Sequence, residues 1–271
     1  MIRDRIIPST MIFGLLSLND ALQNIRNAGY DKAELCIAPG LSNHYDIRNA
    51  NQSTLAEALR AVAQSGVRVV AVNFGLHWLD EAGHVADGMD LIAQNALHLT
   101  SALGARVMTF AAGPITPSDK RSHWLKKIAG RNAEMADRAG ERGIVFSIEA
   151  PHKLSIAEQQ DDIDSFWADQ IDAVKTTLDC AHMTYAGLDP AHVAQRLAYR
   201  CAHAHLRDAV KGNSLLKYGE GSVDFKQYIN AVASAGYKGY FSMEFPTKSA
   251  EEGVQRLEHA KQFFAALFPE T

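Results

Sequence analysis

The sequence is poor in cysteine. Its 271 residues include only Cys36, Cys180 and Cys201, and no two of them have the Cys-x-x-Cys spacing of thiolate metal sites. An odd and widely spaced set of this kind argues against a disulfide framework and against a cysteine-ligated zinc site. We therefore interpret all three as reduced, small apolar residues.

Long apolar runs and clusters of basic charge are also missing. No run approaches the roughly 20 apolar residues that span a membrane, and the segment 1–5 lacks the apolar region of a signal peptide. The formal net charge is −4, and lysine and arginine are scattered along the chain. We predict a cytoplasmic protein that binds neither membranes nor nucleic acid. The sequence leaves a homo-oligomeric state open.

No linker, low-complexity segment or break in composition divides the chain. We therefore predict a single domain over residues 1–271, a length that suits an α/β barrel of about 250 residues. Glycine recurs where a helical segment meets a short apolar strand, at Gly29, Gly66, Gly104, Gly143 and Gly236. Glycine just past a helix allows the left-handed backbone that ends the last turn. This alternation of helix and strand predicts a parallel sheet.

Eight strand segments can be counted, with helical segments between them. They lie near residues 6–10, 32–36, 67–73, 106–110, 144–149, 174–179, 201–207 and 239–244. The average repeat is about 34 residues, which is typical of a (β/α)8 TIM barrel. We predict this fold rather than a doubly wound open sheet. The lack of a glycine-rich phosphate loop after the first strand disfavours a nucleotide-binding version of that sheet.

Four of the later strands end in a side chain that can bind a metal. Glu149, Asp179 and Glu244 end the fifth, sixth and eighth strands, and His205 lies near the end of the seventh. Active sites of α/β barrels lie at the carboxyl ends of the strands. Alone, each residue has an ordinary structural explanation, such as an ion pair, a turn or a hydrogen-bonded core histidine. Together, four such strand ends predict a metal site, because unpaired carboxylates on buried strands are costly.

The alternation of side chains along a strand places these four residues on the inward face. The opposite faces carry the apolar residues Phe146, Ile148, Leu178, Leu206, Phe241 and Met243, which suit packing against helices. The small polar residues Ser147, Thr177 and Ser242 stand two positions before the three carboxylates. We expect them to support the metal ligands, and we expect His203 one layer below.

Six segments carry recognisable motifs. They are 29–35 (GYDKAEL), 147–152 (SIEAPH), 178–182 (LDCAH), 203–208 (HAHLRD), 219–225 (GEGSVDF) and 236–244 (GYKGYFSME). These segments resemble motifs of the xylose-isomerase-like sugar phosphate isomerase/epimerase superfamily. The resemblance covers nearly the whole chain and is strongest over residues 144–244. It is specific for the superfamily and weak for the substrate.

Carried onto this chain, the resemblance implies one divalent metal ion held by Glu149, Asp179, His205 and Glu244. Three carboxylates and one imidazole form a mostly hard ligand set. We therefore expect Mn²⁺ as the cofactor, with Mg²⁺ and Co²⁺ as alternatives.

The resemblance also implies substrate contacts. His182 and Arg207 stand where members of the superfamily contact their substrates. His152 and Glu34 are further candidates for substrate binding. We expect a small sugar-like molecule as the partner of this site, and the lack of a glycine-rich anion loop favours an unphosphorylated one.

The implied activity is that of a metal-dependent isomerase or epimerase of a ketose or keto-cyclitol. Glu149 and Glu244 would act as acid and base, and a metal-stabilised enediolate would form between the two proton transfers.

Three alternatives are left open by the sequence. A dehydratase or decarboxylase of keto-sugar or cyclitol acids belongs to the same superfamily. An abasic-site endonuclease has the same barrel, but it needs a histidine in the segment 108–113 and an aspartate at the position of His203, and both are missing. The third alternative is a binding protein without catalysis.

Overall fold

The computed structural model describes residues 2–269, and within that range an eight-stranded parallel sheet is surrounded by helices. The strands of this sheet are β1 (Ile6–Pro8), β2 (Lys32–Cys36), β3 (Arg68–Asn73), β4 (Val107–Ala111), β5 (Val145–Glu149), β6 (Lys175–Asp179), β7 (Cys201–Leu206) and β10 (Phe241–Met243). A small antiparallel hairpin of β8 (Asp208–Val210) and β9 (Asn213–Leu216) follows β7.

The order of the strands closes the sheet on itself. Neighbours pair in parallel in the order β1-β10-β7-β6-β5-β4-β3-β2. A parallel bridge between Ser9 and Glu34 joins the two ends of this order, so the sheet curves into a nearly closed barrel. The predicted (β/α)8 barrel is therefore confirmed, and the doubly wound open sheet is excluded.

Helices on the outside connect the strands. In the described part of the chain they are α1 (Leu18–Asn27), α2 (Gln52–Ser65), α3 (Met89–Ala102), α4 (Arg121–Gly140), α5 (Gln160–Ala168), α6 (Cys180–Ala186), α7 (Pro190–Leu197), α8 (Phe225–Ser234) and α9 (Ala250–Leu267). No helix in that part has both the length and the apolar character to cross a membrane. The glycines that the sequence places after helices have φ between +65° and +93°, which lets each helix pass directly into the next strand.

Polar caps set where several helices begin. The side chain of Asn51 accepts hydrogen bonds from the backbone N–H groups of Ser53 and Thr54 at 2.9 and 3.2 Å, and so starts α2. Asp189 accepts from Ala191 N at 2.9 Å and starts α7. Each cap satisfies backbone donors that the first turn leaves free, which stabilises a helix by about 1 kcal/mol.

The two faces of the barrel strands differ as predicted. The apolar residues predicted to face the helices are at most 1% exposed. On the inward face, the Thr177 hydroxyl lies 2.7 Å from that of Ser147 and 2.8 Å from that of Thr109. His203 Nε2 lies 2.7 Å from Ser242 Oγ. Within the described residues, these hydroxyl groups thus bond to one another and to His203 and not to the predicted metal ligands.

Strand register brings the predicted ligands side by side. His205 of β7 pairs with Asp179 of β6 and with Ser242 of β10. On the far side of the barrel, the register of β2 against β3 shifts between Ala33 and Glu34. Such an irregularity re-aims a side chain, and here it accompanies a Glu34 carboxylate that lies inside the barrel.

Candidate metal centre and active site

Four side chains from β5, β6, β7 and the end of β10 point into one space. Ligand atoms of Glu149, Asp179, His205 and Glu244 all lie within 4.8 Å of one another, and all four residues are buried. His205 Nδ1 is 2.9 Å from Glu149 Oε1, 3.3 Å from Glu244 Oε2 and 4.0 Å from Asp179 Oδ2. Buried carboxylates this close repel one another unless a cation lies between them. The residues present therefore fit a divalent cation with hard ligands.

Asp179 is held on both of its carboxylate oxygens. Oδ1 caps α6 by accepting hydrogen bonds from Ala181 N at 2.6 Å and His182 N at 3.2 Å. Oδ2 accepts from Arg207 Nη2 at 2.7 Å. Burial raises the pKa of Asp179, but the charges of Arg207 and His205 and the hydrogen bond from the backbone N–H of His182 outweigh burial, and the pKa falls below its usual range. The carboxylate is therefore ionised and cannot rotate freely.

Glu244 is oriented by a residue that the sequence did not single out. Asn73 Nδ2 donates a hydrogen bond to Glu244 Oε1 at 3.2 Å, which leaves Oε2 facing His205. Asn73 is the last residue of β3 and is 4% exposed. A polar residue at the carboxyl end of a barrel strand was the available signal, but an amide there is also common where a turn begins.

Glu34 lies behind His205. Its Oε2 is 2.8 Å from His205 Nε2 and 2.9 Å from His203 Nε2, and the residue is fully buried. The carboxylate thus contacts the nitrogen opposite to the one that faces Glu149. This location does not favour the substrate contact expected for Glu34. It favours a role in orienting His205, because metal-binding histidines commonly donate their second N–H to a carboxylate.

The other expected substrate residues do lie together beside the cluster. His182 Nε2 accepts a hydrogen bond from Arg207 Nη2 at 3.2 Å and is 3.6 Å from Glu149 Oε1. The ring of His152 packs on that of His182, with centroids 3.9 Å apart. Its Nε2 lies 3.9 Å from Glu149 Oε2. The structure therefore brings His152, His182 and Arg207 to one side of Glu149.

The electrostatics of the cluster depend on burial and on mutual charge. Burial lowers the pKa of His205, but Glu244, Glu34 and Glu149 outweigh burial and raise it well above its ordinary value. Burial raises the pKa of Glu244 to about 8, with the nearby His205 acting in the opposite direction. Without a metal ion, the imidazolium of His205 therefore supplies the positive charge that the carboxylates need.

Asp208 shapes the loop that follows β7. Its Oδ2 accepts hydrogen bonds from Gly219 N and Gly221 N at 2.8 and 3.0 Å, and its Oδ1 accepts from Ala209 N at 2.9 Å. A Cβ on Gly221 would lie 2.1 Å from Asp208 Oδ1, so any larger residue would displace the carboxylate. The glycine-rich motif at 219–225 is therefore a turn built around Asp208.

Comparison with known sequences gives a family match over most of the chain and a related protein over about half of it. A family model described as a xylose isomerase-like TIM barrel matches residues 22–267. An inosose dehydratase from Geobacillus thermodenitrificans (strain NG80-2) is 28% identical over 148 residues. That match covers 47% of this chain and 49% of the relative, so it spans about half of the relative's own length.

Solved structures share the fold over nearly the full length. A D-tagatose 3-epimerase-like protein superposes with a TM-score of 0.74 at 17% identity, covering 97% of this chain and 98% of that one. A xylose isomerase-like TIM barrel protein from Mycobacterium smegmatis, in complex with magnesium, superposes with a TM-score of 0.72 at 16% identity. That match covers 97% of both chains. At these identities the likeness concerns the fold alone.

Proposed function

The chain belongs to the xylose isomerase-like TIM-barrel family, and we propose on that premise that it is a divalent-metal-dependent isomerase or epimerase of a ketose or keto-cyclitol. The main support is the buried cluster in which two glutamates, one aspartate and one histidine lie within 4.8 Å of one another. We further propose a single domain over residues 1–271 that acts in the cytoplasm on a small sugar-like molecule.

In this proposal Glu149, Asp179, His205 Nδ1 and Glu244 hold the ion, with Mn²⁺ favoured and Mg²⁺ and Co²⁺ as alternatives. When bound, the ion would polarise a substrate carbonyl and stabilise an enediolate. Glu34 Oε2 would accept a hydrogen bond from the Nε2–H of His205, which leaves the lone pair of Nδ1 free to bind the ion.

Glu149 and Glu244 would carry the proton. One carboxylate removes the proton from the carbon next to the carbonyl, and the C–H electron pair becomes the double bond of the enediolate. A protonated carboxyl group then returns a proton to carbon. The two glutamates come from β5 and from the end of β10, with His205 between them. Proton return on the opposite face inverts the carbon. Return at the neighbouring carbon isomerises the sugar, provided that the hydroxyl proton moves to the former carbonyl oxygen.

Dehydration is the second function to consider, because the relative from Geobacillus is an inosose dehydratase. The first step would be the same removal of a proton beside a carbonyl. The electron pair would then expel a hydroxide from the adjacent carbon, and a positioned acid would protonate it to water. The same two glutamates suffice for this reaction.

Deuterium exchange tests the proposal directly. The metal-loaded protein is incubated in D₂O with a panel of ketoses and inososes, and the products are followed by NMR. Exchange of one carbon-bound hydrogen together with an epimer or isomer supports the proposal. A dehydrated product would identify the second function. Metal-loaded protein that binds sugars without any exchange or product would contradict both.

Substitution of the residues beside the cluster should separate substrate contacts from metal ligands. His182→Ala and Arg207→Ala are expected to keep the ion and to lower kcat/KM by about 10²–10³-fold, the range for removing one donor near developing charge. The ion can replace Arg207 in neutralising Asp179, so binding survives. Metal content and steady-state kinetics measure the two effects. If either variant loses its metal, the assignment of that residue to the substrate is wrong.

Metal binding should release protons. The raised pKa of Glu244, about 8, and the raised pKa of His205 mean that both carry a proton at neutral pH without metal. A ligand must lose its proton to bind, so affinity should rise with pH and the contribution of Glu244 should level off above about pH 8. Calorimetry in buffers of different ionisation enthalpy counts the protons. Affinity independent of pH between 6 and 8 would contradict these protonation states.

A further inference from the structure

Hydrogen bonds within the loop 150–159, which follows β5, fix the side chains of His152 and Ser155. His152 Nδ1 is 2.7 Å from the backbone oxygen of Lys153, so this nitrogen carries the proton. Ser155 Oγ donates a hydrogen bond to His152 O at 2.6 Å and accepts one from Ala157 N at 3.0 Å. Leu154 has a φ of +53°, and every other non-glycine residue in the described chain has a negative φ. Such strain persists where the surroundings fix the backbone, and it is common at binding sites.

Lys153 extends from this loop across α6 towards the β8–β9 hairpin. Its Nζ donates a hydrogen bond to Ser214 Oγ of β9 and lies 5.1 Å from the ring centroid of Tyr185 in α6. Within residues 2–269, no carboxylate forms an ion pair with this ammonium group. Burial and the charge of Arg207 lower the pKa of Lys153, and the carboxylates of Asp179, Glu149 and Glu244 offset this only in part. A half-buried cation without a carboxylate is costly unless something else compensates its charge.

Neighbouring residues present further donors without partners. His182 Nε2 accepts from Arg207, so the proton of His182 is on Nδ1, and this atom has no hydrogen-bond partner among the described residues. Arg207 Nε is likewise buried without a partner there. His182 lies one turn before Tyr185 in α6, the residue whose ring Lys153 approaches, and it accepts a hydrogen bond from Arg207. The three residues are therefore neighbours, and the two unpartnered donors of His182 and Arg207 call for an acceptor from outside the chain.

A second metal ion is a poor candidate for this place. Ligand atoms of Glu149, His152 and His182 do lie within 4.8 Å of one another. However, Arg207 already donates to His182 Nε2. Arg207 and Lys153 also add positive charge near these atoms, which disfavours a second cation. Positive charge and free donors favour a negatively charged ligand instead.

We propose that Lys153 is a specificity-determining residue that binds a negatively charged group, a carboxylate or a phosphate, on the sugar or cyclitol substrate. The inference rests on the proposed function for the identity of the site, and it narrows the substrate class to acidic derivatives. The ammonium group of Lys153 would attract the anion, and we assign the Nε–H of Arg207 and the Nδ1–H of His182, both buried without a partner in the described chain, as further donors to its oxygens.

Equilibrium binding tests this independently of catalysis. Metal-loaded protein is titrated by calorimetry with D-fructose, D-fructuronate and D-fructose 6-phosphate. We expect at least one acidic ligand to bind about 10- to 100-fold more tightly than D-fructose, the range that a hydrogen bond to a charged group provides. The tighter of the two acidic ligands identifies carboxylate or phosphate. Equal affinity for all three, or no tighter binding of either acidic ligand, overturns the inference.

Variants separate specificity from a structural role of Lys153. Lys153→Met keeps the apolar stem and should remove the preference for the acidic ligand, with D-fructose affinity unchanged, whereas Lys153→Arg should retain most of it. Ser214→Ala removes the hydrogen bond but not the charge, and Lys211→Met removes an exposed lysine of the hairpin turn. Both should keep the preference. If Ser214→Ala and Lys153→Met weaken the binding of all three ligands equally, Lys153 only anchors the hairpin and does not determine specificity.

The outcome is also distinguishable from failure of the proposed function. Preference for an acidic ligand that depends on Lys153, without deuterium exchange of any substrate, would support the anion site and reject the isomerase or epimerase. Deuterium exchange with neutral sugars, together with an unchanged preference in Lys153→Met, would support the isomerase or epimerase and reject the anion site.

Discussion

Replacing Glu149 or Glu244 by glutamine is expected to lower turnover by more than the factor of about 10²–10⁴ that the loss of general acid–base help costs. Glutamine keeps the shape of the side chain but removes its charge, so each substitution should weaken a proposed base and a proposed metal ligand together. Initial rates with metal-saturated protein measure the loss. Glu141→Gln, at an exposed position after α4, is the matched control and should leave turnover unchanged.

The two glutamates should also be interdependent. If they act on one proton path, as proposed, the double substitution should cost less than the product of the single losses. If the reaction is an epimerisation, each single variant should exchange hydrogen from only one face of the carbon, which NMR of substrate and epimer in D₂O can resolve. Near-normal turnover of both single variants with metal bound would reject the proposed proton transfer.

Removal of the metal ion is expected to abolish activity, and Mn²⁺ or a similar ion should restore it. Without the ion, the protons on His205 and Glu244 occupy the atoms that would bind it. His205→Ala and Asp179→Ala should weaken metal binding strongly, as measured by calorimetry. Full activity of protein stripped by a chelator would contradict a metal-dependent reaction.

Folding must be followed separately in one of these variants. Asp179 caps α6 and pairs with the buried Arg207. Loss of a cap costs about 1 kcal/mol, and removing one partner of a buried ion pair costs about 3–5 kcal/mol. Asp179→Ala should therefore unfold at lower temperature than the parent protein. His205→Ala does not remove the cap, and it tests metal binding where the aspartate variant is unstable.

Glu34→Gln should weaken metal binding, measured by the same calorimetry, but less than His205→Ala or Asp179→Ala does. The amide can still lie beside His205 Nε2 but no longer carries the negative charge that holds the proton there. Loss of such a supporting carboxylate typically weakens metal binding by about 10–100-fold. With Co²⁺ as the probe ion, the visible spectrum should also shift, because the imidazole ligand becomes less basic. A spectrum and an affinity equal to those of the parent protein would reject this role for Glu34.

Much of the architecture follows from features that are local in the chain. Glycines at the ends of helices and short apolar strands repeat at a regular spacing, and they predicted each strand of the barrel within a few residues. The β8–β9 hairpin was not predicted. Its strands are three and four residues long, and the turn beyond them is organised by Asp208 through backbone contacts that sequence spacing does not reveal.

The main residues of the candidate site were also accessible from local patterns. Alternation along a strand determines which side chains face inward, and the end of a strand determines which of them can reach the mouth of a barrel. The convergence of Glu149, Asp179, His205 and Glu244 therefore follows from their positions at the ends of neighbouring strands.

The supporting contacts depended on closure of the barrel. Glu34 and His205 are 171 residues apart and meet only because β1 and β2 close the sheet. Asn73 and Glu244, also 171 residues apart, meet across the barrel interior for the same reason. Side-chain alternation predicts that such residues face inward, but it does not predict the distance between side chains on opposite sides of the barrel. The positions of the four proposed ligands thus follow from strand periodicity, whereas their orientation, and the position of Lys153 over α6, depend on tertiary packing.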